Sequence, residues 1–310
     1  MSNSQGSIVS TGSIQRELQD GINTIIGLEY DDWDQEYSKI LTVEDSRKNY
    51  EEDVVRAATG LAPEKPEGGS ISYDDSREVG LQRYVHINYG LGVIITEEAM
   101  EDGLYLNEAQ KAGEMLARSM KKTKEKVAAG LFNNGYVSTF FTTWDGEALF
   151  SASHKLGKGG TYSNVLATPA DLSEASLEDV LIAIEGYVDD AGLEIQAEGE
   201  TLFIPRQLRF IAERILASFL QNDTANNAVN AIRNTGSLRG GYSVNHYFTD
   251  PDNWLVRTDV PDGGKFFERS VKSGMDNDFG TSNYRHKHTC RFSVGATDPR
   301  GYYGSGNLNP

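Results

Sequence analysis

The chain has 310 residues and carries 46 acidic against 29 basic side chains, a formal net charge of −17 that opposes binding to nucleic acid by backbone neutralisation. Its 38% hydrophobic and 10% aromatic content suffices for a core and excludes wholesale disorder, the length suggests about two domains, and no apolar run approaches the ~20 residues that cross a bilayer. A single cysteine, Cys290, excludes an intrachain disulfide framework and a multi-cysteine zinc site.

In chain order, residues 1–24 are polar, without a sustained period, and lack the basic-then-apolar pattern of a secretory signal, so they read as an arm of a soluble protein made inside the cell. Residues 28–50 mix acids with Tyr30, Trp33 and Tyr37, which suits an arm packed on a neighbouring subunit. A strand is predicted over Val54–Ala58, then a polar excursion, Pro63 to Ser70, then one long alternating strand over Val79–Ile95. Its Leu81, Arg83, Val85, Ile87 and Tyr89 share one face, with Gln82, Tyr84, His86 and Asn88 on the other. The two strands and their Pro/Gly-rich tip form a long hairpin with almost nothing apolar at the tip to bury against its own chain. Such hairpins exist to touch something else.

The clearest helix spans 107–132. Asn107 with Gln110 approximates a capping box, Leu116, Met120, Val127, Leu131 and Phe132 supply an apolar stripe, and Asn133-Asn134-Gly135 ends it through residues that tolerate left-handed geometry. The basic run Lys121-Lys122-Thr123-Lys124-Glu125-Lys126 on it reads as a solvated face. A second helix runs from about Ser176 to Asp190, and a strand over Thr201–Ile204 meets Pro205, which opens a helix containing Leu208, Ile211 and Ile215. Later strands fall at Tyr242–Phe248, Trp254–Arg257, Phe266–Val271 and His288–Val294. The lack of a βαβ rhythm favours α+β.

Few constellations suggest chemistry. Gly157-Lys158-Gly159-Gly160-Thr161 lacks the earlier glycine and the flanking strand of a phosphate loop, and reads as a surface loop. His286, His288 and Cys290 at i, i+2 and i+4 share one strand face and can converge on zinc; the alternative is a partly exposed strand with a polar face, favoured because successive strand positions splay. There is no Gly-x-Ser-x-Gly elbow, and Asp31-Asp32, Asp74-Asp75 and Asp189-Asp190 read as solvated surface. No catalytic, cofactor-binding or metal-ligating residue is assigned, and the chain reads as no enzyme.

Several segments together resemble the major capsid proteins of tailed bacteriophages. They are Trp144 to His154 (WDGEALFSASH) with Gly159 to Asn164 (GGTYSN), Thr201 to Leu208 continuing through Ala212 to Leu216, Asn222 to Asn230, Thr249 to Trp254, Phe267-Glu268-Arg269, and Asp298 to Gly304 (DPRGYYG). The resemblance covers roughly residues 100–305 in order. It implies the α+β Hong-Kong-97-type capsid fold, divided as an N-terminal arm and start of the peripheral domain (1–50), an extended hairpin or E-loop (51–92), a peripheral domain (93–194) with its spine helix at 107–132, an axial domain (195–280) and returning C-terminal strands (281–310). It further implies self-assembly as hexamers and pentamers into an icosahedral head in the host cytoplasm, around double-stranded DNA held without sequence-specific binding. The implied partners are portal and scaffolding proteins, with a decoration protein as an optional addition, and no membrane. The arm carries no large charged helical region ahead of it, so a separate scaffolding protein is expected. Some members cross-link Lys to Asn; Lys65 stands at the hairpin tip, but no matching acceptor or catalytic glutamate is found, so the bond is not carried over. Net negative charge would let enclosed DNA lie against the wall without sticking. The alternative within the same fold is an encapsulin-like compartment enclosing a cargo enzyme.

Overall fold

Leu116, Ala117, Met120, Ala128, Leu131 and Phe132 recur at three- and four-residue intervals and are all buried on helix α2 (Tyr105–Asn133), the longest element of the computed structural model. At 29 residues it runs about 43 Å. The structure describes residues 34–74, 78–96, 98, 105–220, 229–278, 280–281 and 283–306. The predicted arm at 1–24, Tyr30, Asp31-Asp32, Trp33, Asp75 and most of the turn after Asn222 lie outside the described residues.

Helix α2 departs from expectation at both ends. It begins before Asn107, which sits in the first turn rather than capping it, because each added residue gains a backbone hydrogen bond once a helix is nucleated. None of Asn133, Asn134 and Gly135 has a positive φ. Gly135 is needed for packing instead: a Cβ there would stand 2.7 Å from the Phe150 ring, and its carbonyl accepts the Phe150 N–H at 2.9 Å. The basic run is only half solvated. Lys121 and Lys124 turn inward, and Lys124 Nζ lies 2.6 Å from Glu268 Oε2, while Lys122 and Lys126 stay exposed.

The chain divides into two compact units, one of 1–35, 87–125 and 268–292, the other of 36–86, 126–267 and 293–310. Helix α2 and two long strands, β10 (Gly264–Asn277) and β11 (Tyr284–Ala296), belong partly to each. These strands form the middle of a sheet of order β1-β10-β11-β4, with β1 at Thr42–Asp45 and β4 at Ile87–Ile95. β4 runs antiparallel to β11, from Tyr284 opposite Ile95 to Phe292 opposite Ile87.

The larger unit holds a second sheet of order β12-β9-β7-β8: Tyr302–Gly304, Leu255–Thr258, Gly199–Pro205 and Tyr242–Asn245. β7 and β8 are parallel and the other pairs antiparallel, so the unit is α+β. Helix α3 (Glu174–Glu185) opens with a capping box between Ser173 and Ser176. Its Leu177, Val180 and Ile184 join Leu202, Ile204, Trp254 and Val256 in the core. Pro205 ends β7 and is followed by a 3-10 turn, Arg206–Leu208, before helix α4 (Arg209–Ala217). Two shorter helices, α1 (Tyr37–Ile40) and α5 (Ala231–Thr235), complete the set of described helices.

Three of the segments that carry the family resemblance meet at one buried junction. Asn164, fully buried, donates through Nδ2 to the carbonyls of Leu149 (2.8 Å) and Pro299 (3.1 Å) and accepts the Ser151 amide at 2.9 Å. One side chain thus ties the ALFS and GGTYSN segments to DPRGYYG. Beside it, His154 Nδ1 lies 2.8 Å from Asp145 Oδ2, which also accepts the Lys155 amide, while Thr143 and the Glu147 amide donate to Oδ1. Burial alone would raise the Asp145 carboxyl, but the bonds from His154, Thr143 and Glu147 outweigh it and hold the group well below the usual carboxylate range. Arg300 Nη2 contacts Asp298 at 2.8 Å and Asp190 at 3.7 Å, so Asp190 is buried beside a cation rather than solvated as expected.

A carboxyl depressed in the folded state contributes stability above its unfolded value of about 4 and loses it as pH falls through the folded value. Asp145→Asn is therefore expected to destabilise the subunit by about 3 kcal/mol at neutral pH, with a shallower loss of stability below pH ~4 than the parent shows. Denaturant titration across pH checks both.

Candidate functional site

The hairpin predicted from the sequence is present, with its long return strand divided. β2 (Tyr50–Arg56) pairs antiparallel with β3 (Glu78–Val85), and β4 leaves for the other sheet. The break falls at His86, whose Nε2 lies 2.8 Å from Ser46 Oγ and whose Nδ1 lies 3.0 Å from Ser293 Oγ. Period-two alternation does not register a change of partner, so the sequence signal runs on unbroken.

The faces of β3 invert the usual hydrophobic-in order. Gln82 and Tyr84 are buried, while Leu81 and Val85 face solvent at 50% and 57% exposure. Three interactions hold the inner face. Tyr84 Oη meets Thr297 Oγ1 at 2.5 Å, Thr297 donates to Asp53 at 2.7 Å, and Lys265 Nζ bridges Asp53 (2.8 Å) and Asp262 (2.9 Å). Burial alone would lower the Lys265 ammonium, but Asp262 and Asp53 more than compensate and raise it. Gly80 lets Trp144 pack flat on the strand: a Cβ would come within 2.4 Å of the indole. With the inner face filled by polar clamps and glycine, the apolar side chains are left outside.

Cross-strand register assembles that outer face. Tyr50 is opposite Val85, Glu52 opposite Arg83 and Val54 opposite Leu81, so two apolar pairs flank one ion pair. Arg83 bonds Glu52 at 2.7 Å and lies 4.6 Å over the Tyr50 ring. Toward the tip Leu61, Ile71 and Tyr73 are exposed too, Tyr73 at 94%. Exposed apolar side chains gathered along one hairpin mark a contact surface.

The remaining candidates resolve individually. Lys65 lies in the exposed tip. Gly157–Thr161 is the turn between two short strands, β5 (His154–Lys155) and β6 (Thr161–Tyr162), and Lys158 is engaged by Asp74 at 2.8 Å. His286, His288 and Cys290 do share one face of β11, but that face is buried and not partly exposed as expected, because alternate residues from Tyr284 to Phe292 all turn inward. The two imidazole rings lie 5.1 Å apart, centre to centre. Both ring nitrogens of His286 and Nε2 of His288 have no hydrogen-bond partner. Burial lowers both histidines, His288 to about 4, and pushes the Cys290 thiol up. Among the described residues no three His, Cys, Asp or Glu side chains are placed to hold a metal ion.

Neutral buried histidines give a signed expectation. The unfolded chain binds a proton at His288 below about pH 6.5, and the folded chain resists until about 4, so stability present above pH 6.5 is lost as pH falls toward 4. His288→Phe should flatten that loss in thermal melts between pH 7 and 5. His286→Ala and Cys290→Ser should leave assembly nearly unchanged, and elemental analysis should find no stoichiometric zinc. One zinc per chain, lost with either substitution, would contradict this reading.

Comparison with known proteins agrees with the geometry. A family model described as phage capsid protein matches residues 82–305. No curated protein matches. Among solved structures, the procapsid of bacteriophage JBD30 superposes with a TM-score of 0.55 at 13% identity, covering 97% of this chain and 77% of that one. The capsid of the empty GTA particle gives 0.53 at 13% identity, covering 87% and 88%. The virus-like particle from Pyrococcus furiosus gives 0.50 at 13% identity, covering 92% and 98%. At these identities the structures speak to the fold alone, which is the Hong-Kong-97 type, and the family match spans well over half of the sequence. The chain belongs to the phage capsid protein family and is a tailed-phage major capsid protein, a structural shell component.

Proposed function

We propose that this protein assembles as hexamers and pentamers into the icosahedral head that encloses phage double-stranded DNA, growing in the host cytoplasm with a scaffolding protein and a portal. The observation that carries the reading is the outer face of the hairpin. Tyr50, Val54, Leu81 and Val85 are held in register by a hairpin whose inner face is clamped, so the strip stands ready before any partner arrives. A preorganised apolar surface loses little entropy on association, and a closed shell repeats the gain at every copy.

The same strip fits an encapsulin-like compartment, and the likeness to a virus-like particle gives that second reading its support. Particle contents separate the two: nucleic acid in one, a cargo enzyme in the other. Assembly itself is tested at the tip. Deleting Pro63–Ser70 removes residues that are all exposed except the half-buried Gly69, so circular dichroism should be unchanged while negative-stain microscopy shows rings and shells lost. Loss of secondary structure on deletion would place the tip in the subunit's own core and defeat the contact assignment.

A further inference from the structure

The smaller unit carries a concentration of positive charge that the chain's overall balance of −17 does not suggest. On the sheet face opposite His286 and His288, β11 presents Lys287 and Arg291, both exposed. A shallow depression of about 200 Å³ beside them is lined by Asn88, Arg269, Ser270, Lys272, Thr289 and Arg291, with the Cys290 strand as floor. No carboxylate lines it. Arg285, further along β11, is neutralised by Asp278, but among the described residues Arg269, Lys272, Lys287 and Arg291 have no ion pair. The adjoining strand leaves the floor bare: Gly90 and Gly92 stand opposite Thr289 and Lys287, and a Cβ at Gly92 would lie 3.0 Å from the His286 carbonyl.

Every side chain lining the depression can donate a hydrogen bond, and its charged members are two guanidinium forks and an ammonium, a donor set that suits the oxygens of a phosphate. Contacts to phosphate position a nucleic acid without carrying sequence information. We infer that this face binds the phosphodiester backbone of nucleic acid, about three phosphates at a time and without sequence preference. The inference rests on the reading that the shell encloses DNA, which would supply the phosphate. An acidic surface of a second copy is the competing occupant. It is less favoured because four of the hairpin's acids are already engaged within the subunit, Glu51 by Ser46 and Lys48, Glu52 by Arg83, Asp53 by Lys265 and Asp74 by Lys158, which leaves Glu64, Glu67 and Glu78 as its other exposed acids among the described residues. The acidic remainder of the surface repels the polyanion, so contact is confined to this face and weakens steeply with salt.

The test uses the full chain, a fluorescent DNA duplex of about 20 base pairs in two unrelated sequences, and anisotropy between about 50 and 200 mM salt. The wild type should bind both sequences alike, with a slope of log K against log salt of about −3. Lys287→Glu with Arg291→Glu should weaken binding by about tenfold or more and reduce that slope by about 2, whereas Lys122→Glu with Lys126→Glu, an equal charge change at exposed helix positions, should change affinity less than about twofold. No binding by the wild type at the lowest salt, or an equal loss in both variants, would overturn the site. So would a site variant that still binds DNA but no longer forms shells, which would assign the face to a second copy. Negative-stain images of the same samples keep the two readings apart. Shells that form without binding DNA defeat the site and leave the shell, while DNA bound by a protein that never forms shells supports the site and defeats enclosure as its source of phosphate.

Discussion

The structure depends on a division of labour between the two faces of one hairpin. Its inner face is fixed by Tyr84, Thr297, Asp53 and Lys265, and its outer face leaves Tyr50, Val54, Leu81 and Val85 in water. Burying an apolar side chain contributes about 1.5–3 kcal/mol, so covering four half-exposed ones is worth about 4 kcal/mol per copy. A neighbour supplies that burial where the subunit's own chain does not. The clamp sets where the strip points, and the strip sets what the subunit is for.

The second constraint is the motif junction. Asn164, His154, Asp145 and Arg300 bring together segments more than 130 residues apart in sequence, and each uses most of its hydrogen-bonding capacity. A charge-bearing network in a dry interior is costly unless nearly complete, and here it is close to complete. These residues hold a scaffold together. The Asp145–His154 pair, which in a cleft would suggest proton transfer, is sealed at 1% and 0% side-chain exposure.

Much of the fold was legible in the sequence for simple reasons. Helix α2 announces itself by period, and α3, β7 and the last strands by apolar runs bounded by Gly, Pro and Ser. The hairpin was legible as alternation with a Pro/Gly tip. What sequence reasoning missed is instructive. The division of Val79–Ile95 at His86 leaves no mark on the period, since both halves alternate in phase. The burial of Lys124 was hidden because its partner, Glu268, lies far along the chain. The cationic sheet face was missed for the same reason: Arg269, Lys272, Lys287 and Arg291 come from two strands, and only antiparallel pairing brings them together. The burial of Asp190 required knowing where Arg300 falls. The apolar strip of the hairpin had a signal that went unread, since both strands alternate and only the identity of Gln82, Tyr84 and Gly80 on the inner face shows which side is clamped.

Hydroxyl-radical footprinting of dissociated subunits against assembled shells addresses the central claim most directly. Modification of Tyr50, Val54, Leu81, Val85 and Tyr73 should fall sharply on assembly, while Tyr84, only 2% exposed in the subunit, should stay equally unreactive in both. Shells in which the strip remains as reactive as in the free subunit would contradict the account, because the surface that defines this protein as a building block would then face no neighbour.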